Sequence, residues 1–148
     1  MEQPENHLYT ETIHRFLTVY RHLRRASRQL HRAGIGGGKI AALRFLLEAG
    51  PCTVGQLRRY LYISRSSTSE LIASLEAKGY VTRARSERDH RVVIVSLTEA
   101  GCETAQGMPL QGMPLLRERV KTLPPEQLAR LHGAMTDMME LLEIEECE

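Results

Sequence analysis

Apolar side chains recur at helical spacing near both ends of the chain. The N-terminal stripe falls on one side of a helix whose other faces carry arginines, and it consists of Ile13, Phe16, Leu17, Tyr20, Leu23 and Leu30. The C-terminal stripe follows Pro124 and Pro125 in alternating steps of three and four, the spacing of a coiled-coil seam: Leu128, Leu131, Met135, Met138 and Leu142. Segments 8–33 and 124–146 are therefore predicted to be helices that pair, either within one subunit or between two.

Residues 53–77 predict two short helices joined by a tight turn. Thr53 is a capping residue, and the first helix carries its apolar stripe at Val54, Leu57 and Leu61. The second helix opens with seven polar residues, Ser64 to Glu70, before any apolar side chain arrives. We expect the front of this helix to bury nothing and to face a partner. Short hydroxyls with one Arg and one Glu suit the major groove of DNA, where they hydrogen-bond base edges and phosphates.

Two β-branched runs follow, Tyr80 to Arg85 and Val92 to Leu97, with a polar segment between them. This pattern predicts a β-hairpin with a charged tip, from which Arg88 or Arg91 reaches phosphates or a minor groove. A helix-turn-helix followed by such a hairpin is a winged helix. The predicted fold class is mainly α with a small β wing (α+β), in which residues 39–97 form the winged helix-turn-helix of a single domain, 1–148.

The chain resembles the MarR family of winged helix-turn-helix regulators over nearly all its length. The resemblance is carried by four segments: Ser64-Arg65-Ser66-Ser67-Thr68-Ser69, Leu75-Glu76-Ala77-Lys78-Gly79-Tyr80-Val81, Arg88-Asp89-His90-Arg91 and Val95-Ser96-Leu97-Thr98-Glu99-Ala100-Gly101. It implies a homodimer, with a dimerisation region built from both termini, that binds a roughly palindromic operator in double-stranded DNA. It also implies that Asp89 braces the wing arginine, Arg91. The residues expected to contact DNA are Ser64, Arg65, Ser66, Ser67, Ser69, Glu70, Arg88 and Arg91.

Charge and cysteine content agree with a DNA-binding protein of a reducing compartment. The net charge is only +2, but the region from Arg58 to Arg91 is basic, as displacement of DNA counterions requires. Three cysteines without a Cys-x-x-Cys pair argue against a disulfide framework. No apolar run approaches membrane-spanning length and the N-terminus is polar, so we expect a cytoplasmic location without membrane association.

The apparent catalytic, cofactor-binding and metal-binding motifs in the sequence are incomplete. The glycine-rich segment Gly34 to Lys39 lacks the first Gly and the final Ser/Thr of a phosphate-binding loop, and is predicted to be a flexible helix connection. The histidines show no metal-ligand spacing, and no nucleophile is paired with a base. Neither enzyme activity nor a cofactor is expected.

A tandem repeat, Gln106-Gly107-Met108-Pro109-Leu110 followed by Gln111-Gly112-Met113-Pro114-Leu115, departs from the single long helix that the family usually has here. Each proline removes a backbone hydrogen bond, so the linker helix predicted over 98–121 should break between Gly107 and Pro114. The repeat is either a neutral duplication or a functional one.

The predicted function is transcriptional regulation, most often repression in this family, with release by a small aromatic or anionic effector. By resemblance, the effector would bind between the dimer helices and the winged helix-turn-helix of residues 39–97 (the reading head). His14, Arg15, Tyr20 and Phe45 are the candidate contacts. Two alternatives stay open: a thiol-oxidation or metal-sensing regulator on the same fold, and a protein-interaction module without DNA binding.

Overall fold

The computed structural model describes residues 4–145. In this part of the chain the elements are α1 (Pro4–Arg32), α2 (Gly37–Ala49), β1 (Cys52–Thr53), α3 (Val54–Leu61), α4 (Arg65–Ala77), β2 (Val81–Arg85), β3 (Val93–Leu97), α5 (Glu99–Gly107), α6 (Gly112–Lys121) and α7 (Pro125–Leu141). The chain divides into two compact units, Met1–Pro114 and Leu115–Glu148. A mainly helical fold with a small β wing, as predicted from the pattern, is confirmed.

The wing is an antiparallel hairpin within a three-stranded sheet of order β1-β3-β2. Strands β2 and β3 pair from Val81 opposite Leu97 to Arg85 opposite Val93. The third strand, β1, is only two residues long and pairs Cys52 with Val95. Sequence patterning did not predict this strand, because two residues are too few to show an alternating pattern.

The helix-turn-helix and the wing share one hydrophobic core. Its fully buried members come from separate elements and include Leu43 of α2, Leu57 of α3, Ile72 and Leu75 of α4, and Val95 of β3. A smaller cluster of Leu30, Ile35 and Ile40, with Met108 packed against it, joins the end of α1 to α2. The reading head is therefore held by packing between elements as well as by local turns.

The glycine-rich connection is shorter than predicted. Helix α2 begins at Gly37, so only residues 33–36 separate it from α1, and the prediction of a connection as far as Lys39 is wrong. A methyl group on Gly37 would lie 3.5 Å from Leu30 Cδ1 and 3.6 Å from Pro114 Cδ. The absence of a side chain thus lets the start of α2 pack closely against α1 and the second copy of the repeat.

The helix break that the prolines predict is present, and the two copies of the repeat have different environments. Helix α5 ends at Gly107, and α6 begins at Gly112 with the backbone φ angle of Gly112 at +60°. Gly107 and Pro109 of the first copy are exposed, whereas Gly112 and Pro114 of the second are buried. The second copy is therefore an integral part of the packing against α1 and α2.

The second unit contains most of α6 and all of α7. Helix α7 starts after Pro124 with Pro125 in its first turn, as expected, but it ends at Leu141 and does not reach residue 146, which lies outside the described residues. None of its residues is buried, and Leu128 and Met135 are 41% and 45% exposed. No helix among residues 4–145 is both long and apolar enough to cross a membrane.

Candidate nucleic-acid interface

The front of helix α4 is ordered by a network of serine hydroxyls. Ser64 is the N-cap, with extended backbone, and its Oγ accepts a hydrogen bond from the backbone N–H of Ser67 at 3.1 Å. The same oxygen lies 3.0 Å from Ser66 Oγ and donates to Ser67 Oγ at 2.9 Å. Capping satisfies one of the free amides of the first turn, and the network restricts the three side chains. These hydroxyls are thus pre-positioned before any ligand arrives.

Six predicted contact residues of α4 and its cap are all exposed on the surface: Ser64, Arg65, Ser66, Ser67, Ser69 and Glu70. The expectation that this segment buries nothing is wrong at Thr68, which is completely buried. Its hydroxyl donates to the backbone carbonyl of Ser64 at 2.8 Å, so this buried polar side chain is satisfied. Thr68 therefore anchors the front of the helix to the core, and the side chains on either side of it project outward.

The helix and turn that precede α4 have defined local geometry at both ends. Thr53 and Gln56 form a reciprocal capping box at the start of α3, where Thr53 Oγ1 accepts from Gln56 N–H at 3.0 Å and Gln56 Oε1 accepts from Thr53 N–H at 2.8 Å. At the other end of α3, Tyr62 adopts the left-handed conformation with φ of 55° and ψ of 53°. This single residue turns the chain into α4 while its side chain stays exposed.

The wing tip is closed by its own hydrogen bonds. The N–H of Ser86 donates to Val92 O at 2.8 Å, and the N–H of Val92 donates to Asp89 O at 2.9 Å. Asp89 Oδ1 accepts from the backbone N–H of Arg91 at 3.0 Å. Asp89 therefore orders the backbone that carries Arg91. The side chains of Arg88 and Arg91 are exposed.

An ion pair joins α4, the predicted recognition helix, to strand β2 of the wing. Arg83 of β2 donates through Nε to Glu76 Oε2 of α4 at 2.9 Å, and its Nη2 donates to the same oxygen. Hydrogen bonding to Arg83 lowers the pKa of Glu76, and the carboxylate raises the pKa of Arg83. Sequence analysis did not find this pair because its members are seven positions apart, in two different elements.

Two cavities flank helix α4 within the first unit. One, of about 410 Å³, separates the recognition helix from the start of α2 and is lined by His31, Gly36, Gly38, Lys39, Ser67, Glu70, Leu71 and Ser74. Glu70 thus borders the same groove as the cationic Lys39. The other, of about 330 Å³, is lined by Ala33, Gly34, Ile35, Lys78, Tyr80, Thr104, Gly107 and Met108.

The proposed effector contacts lie on two elements and line neither cavity. His14, Arg15 and Tyr20 are exposed on α1. Arg15 Nη2 lies 3.6 Å from Glu11 Oε2, one helical turn away. Phe45 of α2 is half-buried and stacks on Tyr60 of α3, with ring centroids 4.3 Å apart. The packing of Phe45 in the reading head accounts for its position without a ligand.

The cysteines lie in different environments. Cys52 is buried in β1, and burial raises the pKa of its thiol. Cys102 is half-buried in α5, and Cys147 lies outside the described residues. Among residues 4–145, no group of three or more His, Cys, Asp or Glu side chains is arranged to hold a metal ion.

The sequence model of the MarR family matches residues 33–92, which include the helix-turn-helix and the wing tip. An HTH-type transcriptional regulator of Mycobacterium bovis, Mb0904, is 31% identical over 80% of this chain and 86% of its own length. The organic hydroperoxide resistance transcriptional regulator of Bacillus subtilis is 28% identical over 96% of this chain and 97% of its own. A match to the Bacillus subtilis regulator YfiV covers 71% of this chain and 66% of the relative.

Solved structures give the same fold. AbsC, a MarR family transcriptional regulator from Streptomyces coelicolor, superposes with a TM-score of 0.66 at 25% identity, covering 98% of this chain and 99% of that one. The Staphylococcus aureus MepR protein in its complex with DNA superposes with a TM-score of 0.58 at 20% identity, covering 95% and 99%. The element order described above is thus that of a known winged-helix architecture.

Proposed function

The chain belongs to the MarR family of transcriptional regulators, and on that premise we propose that it is a sequence-specific DNA-binding repressor that acts as a homodimer. The observation that carries the proposal is the pre-ordered polar front of α4, in which Ser64, Ser66 and Ser67 share hydrogen bonds while facing outward. A partner that binds this surface meets side chains whose conformational entropy is already reduced.

The shape and chemistry of α4 fit the major groove. Its leading side chains are short, so the helix can approach base edges closely, and hydroxyls both donate and accept hydrogen bonds. Arg65 supplies a cation for a phosphate or a guanine, and Glu70 supplies an acceptor for a cytosine amino group. Lys39 borders the same groove as Glu70 and would supply a cation for a nearby phosphate.

The wing supplies a second contact. Arg88 and Arg91 are exposed at the tip, and the bond from Arg91 N–H to Asp89 stabilises the turn that presents them. A guanidinium on such a tip fits a narrow, electronegative minor groove beside the half-site. Major-groove and minor-groove contacts would then come from one rigid reading head.

The dimer is supported by apolar surface that one chain leaves open. Along α1 the exposed side chains include Ile13, Phe16, Leu17 and Tyr20, and α7 exposes Leu128 and Met135. Exposed apolar side chains of this kind, on each of the two units taken separately, favour an interaction site. We assign it to a second copy, because a two-fold axis pairs each reading head with one half of a palindromic operator.

Regulation by a small aromatic or anionic effector, a cytoplasmic location and the absence of enzyme activity complete the proposal. An effector that binds one spacing of the two reading heads more tightly would shift the population away from the DNA-matched state. His14, Arg15, Tyr20 and Phe45 stay the candidate contacts. Thiol sensing is the competing mechanism, since one relative is named for organic hydroperoxide resistance, but the buried Cys52 is poorly placed to react.

The proposal is tested by selecting an operator from random duplexes with the full-length protein and measuring its affinity by fluorescence anisotropy at fixed salt. Arg91→Ala should weaken binding by roughly 1 to 3 kcal/mol, because it removes a minor-groove guanidinium. His90→Ala, at the adjacent exposed position of the same tip, serves as the matched control and should bind as tightly as the wild type. Failure to select any sequence, or equal binding by both variants, would refute the proposed DNA contact.

A further inference from the structure

Arg83 stands where strand β2 leaves the hydrophobic core. Side chains two apart lie on the same face of a strand, so Val81, Arg83 and Arg85 share one face. Val81 is buried in the core, whereas Arg85 is exposed nearer the wing tip. Arg83 lies between them, and its guanidinium hydrogen-bonds to Glu76 on the recognition helix.

The connection between the helix and the wing is short and needs such a cross-link. Only Lys78, Gly79 and Tyr80 join α4 to β2, and Gly79 has a φ of +74°. Thr98 Oγ1 donates to Gly79 O at 2.6 Å, which fixes the turn itself. Beyond Val81, the ion pair between Arg83 and Glu76 is a polar contact that ties β2 to α4.

We propose that the Glu76–Arg83 pair is a positioning device that holds the wing at the angle required for minor-groove contact, and that Arg83 itself is not a phosphate ligand. The inference rests on the proposed DNA-binding function. The side chains of Arg83 and Glu76 are 43% and 37% exposed, and pairs at that exposure add little to folding stability. Their value lies in geometry: a small rotation at the base of the hairpin moves its tip, and with it Arg91, out of register with the groove.

The test measures preference for flanking sequence separately from preference for the half-sites. Two duplexes carry identical selected half-sites, with flanks that are either A·T-rich, giving a narrow minor groove, or G·C-rich. We expect the wild type to prefer the A·T flank by about tenfold. Glu76→Gln and Arg83→Gln should both reduce this ratio to about twofold or less, while discrimination against mutated half-sites is unchanged. Using a ratio cancels the altered net charge of each variant.

Two further variants separate positioning from contact. Arg85→Gln removes a cation from the same strand face, two residues nearer the tip, and should leave the flank ratio intact. The double variant Glu76→Arg/Arg83→Glu reverses the pair and should restore much of the ratio. Unfolding midpoints measured by circular dichroism check that each variant is folded.

Two results would overturn the positioning role of the Glu76–Arg83 pair. One is a flank ratio in Glu76→Gln equal to that of the wild type. Another is a loss of affinity by Arg83→Gln that is equal on both flanks and lowers the salt slope by about 0.9, the signature of a lost phosphate contact. If Arg91→Ala also left the flank ratio unchanged, the wing contact of the proposed function would fail instead, so the two failures are distinguishable.

Discussion

Gly112 offers the sharpest test of the packing at the helix break. Its φ of +60° lies in the left-handed region, and a methyl group added there would lie 2.7 Å from Ala26 Cβ. Ala26 is itself buried on α1. Because an alanine methyl is fixed to the backbone, it cannot rotate away, and either α1 or the turn must move.

The expected cost of Gly112→Ala follows from three terms. A non-glycine residue in the left-handed region costs about 1 to 2 kcal/mol, and forcing an extra methyl into a packed site costs about 1 to 3 kcal/mol. Reduced entropy of the unfolded chain returns about 0.4 to 1 kcal/mol. The free energy of unfolding should therefore fall by about 1 to 5 kcal/mol.

The first copy of the repeat supplies the matched control. Gly107→Ala places a methyl at the equivalent position, where nothing lies within 4 Å, and the residue ends a helix with ordinary backbone angles. It should be neutral or stabilise by about 0.5 to 1 kcal/mol. Ala26→Gly combined with Gly112→Ala should recover part of the loss, because it vacates the space that the new methyl needs, and the coupling can be read from a double-mutant cycle.

Urea unfolding followed by far-UV circular dichroism measures five proteins: the wild type, Gly112→Ala, Gly107→Ala, Ala26→Gly and the double variant. All are measured at one fixed protein concentration, because dimerisation adds to apparent stability. Equal unfolding free energies for Gly112→Ala and Gly107→Ala would refute the reasoning. Such a result would mean that the break relaxes freely and that the second copy is not held against α1. If Gly112→Ala is instead less stable than Gly107→Ala, the second copy is held against α1. This packing would limit how far the linker can change the spacing of the two reading heads.

The remaining predictions concern recognition, assembly and chemistry. Glu70→Gln should alter base preference more than overall affinity, because the carboxylate repels phosphates yet can specify cytosine; an unchanged selected consensus would count against this. Deleting the chain from Leu128 should give monomers that bind DNA poorly, since it removes the exposed seam, and light scattering that shows a folded dimer would contradict the proposed interface. Iodoacetamide should leave Cys52 unmodified in the folded protein but label it in urea, because burial raises its pKa; rapid labelling of the native thiol would reopen thiol sensing. Arg83 lowers the pKa of Glu76, so the ion pair is fully formed above the ordinary carboxyl pKa and is lost only as the pH falls through the lowered value. Flank preference should therefore be constant between about pH 6 and 8. A loss of flank preference within that window would implicate another titrating group.

The helix-turn-helix and the wing could be predicted from the sequence because their signals are local. The cap at Ser64, the capping box at Thr53 and the β-branched runs around residues 86–91 each depend on neighbours a few positions away. The helix break at the repeat belongs to the same class, since a proline lacks its backbone donor in any context. The family resemblance added the expectation that Asp89 braces Arg91, which no local pattern would have supplied.

Tertiary structure decided what depends on residues that are distant along the chain. Thr68 stands among polar neighbours and was expected to be exposed, but it is buried together with Ile72 and Leu75 of α4. The two-residue strand at Cys52 exists only because Val95 pairs with it. Identical copies of the repeat differ in burial because only Gly112 meets Ala26. Sequence patterns report the propensity of a segment and which of its faces is apolar; which atoms then meet depends on how the elements pack, and packing is a property of the whole chain.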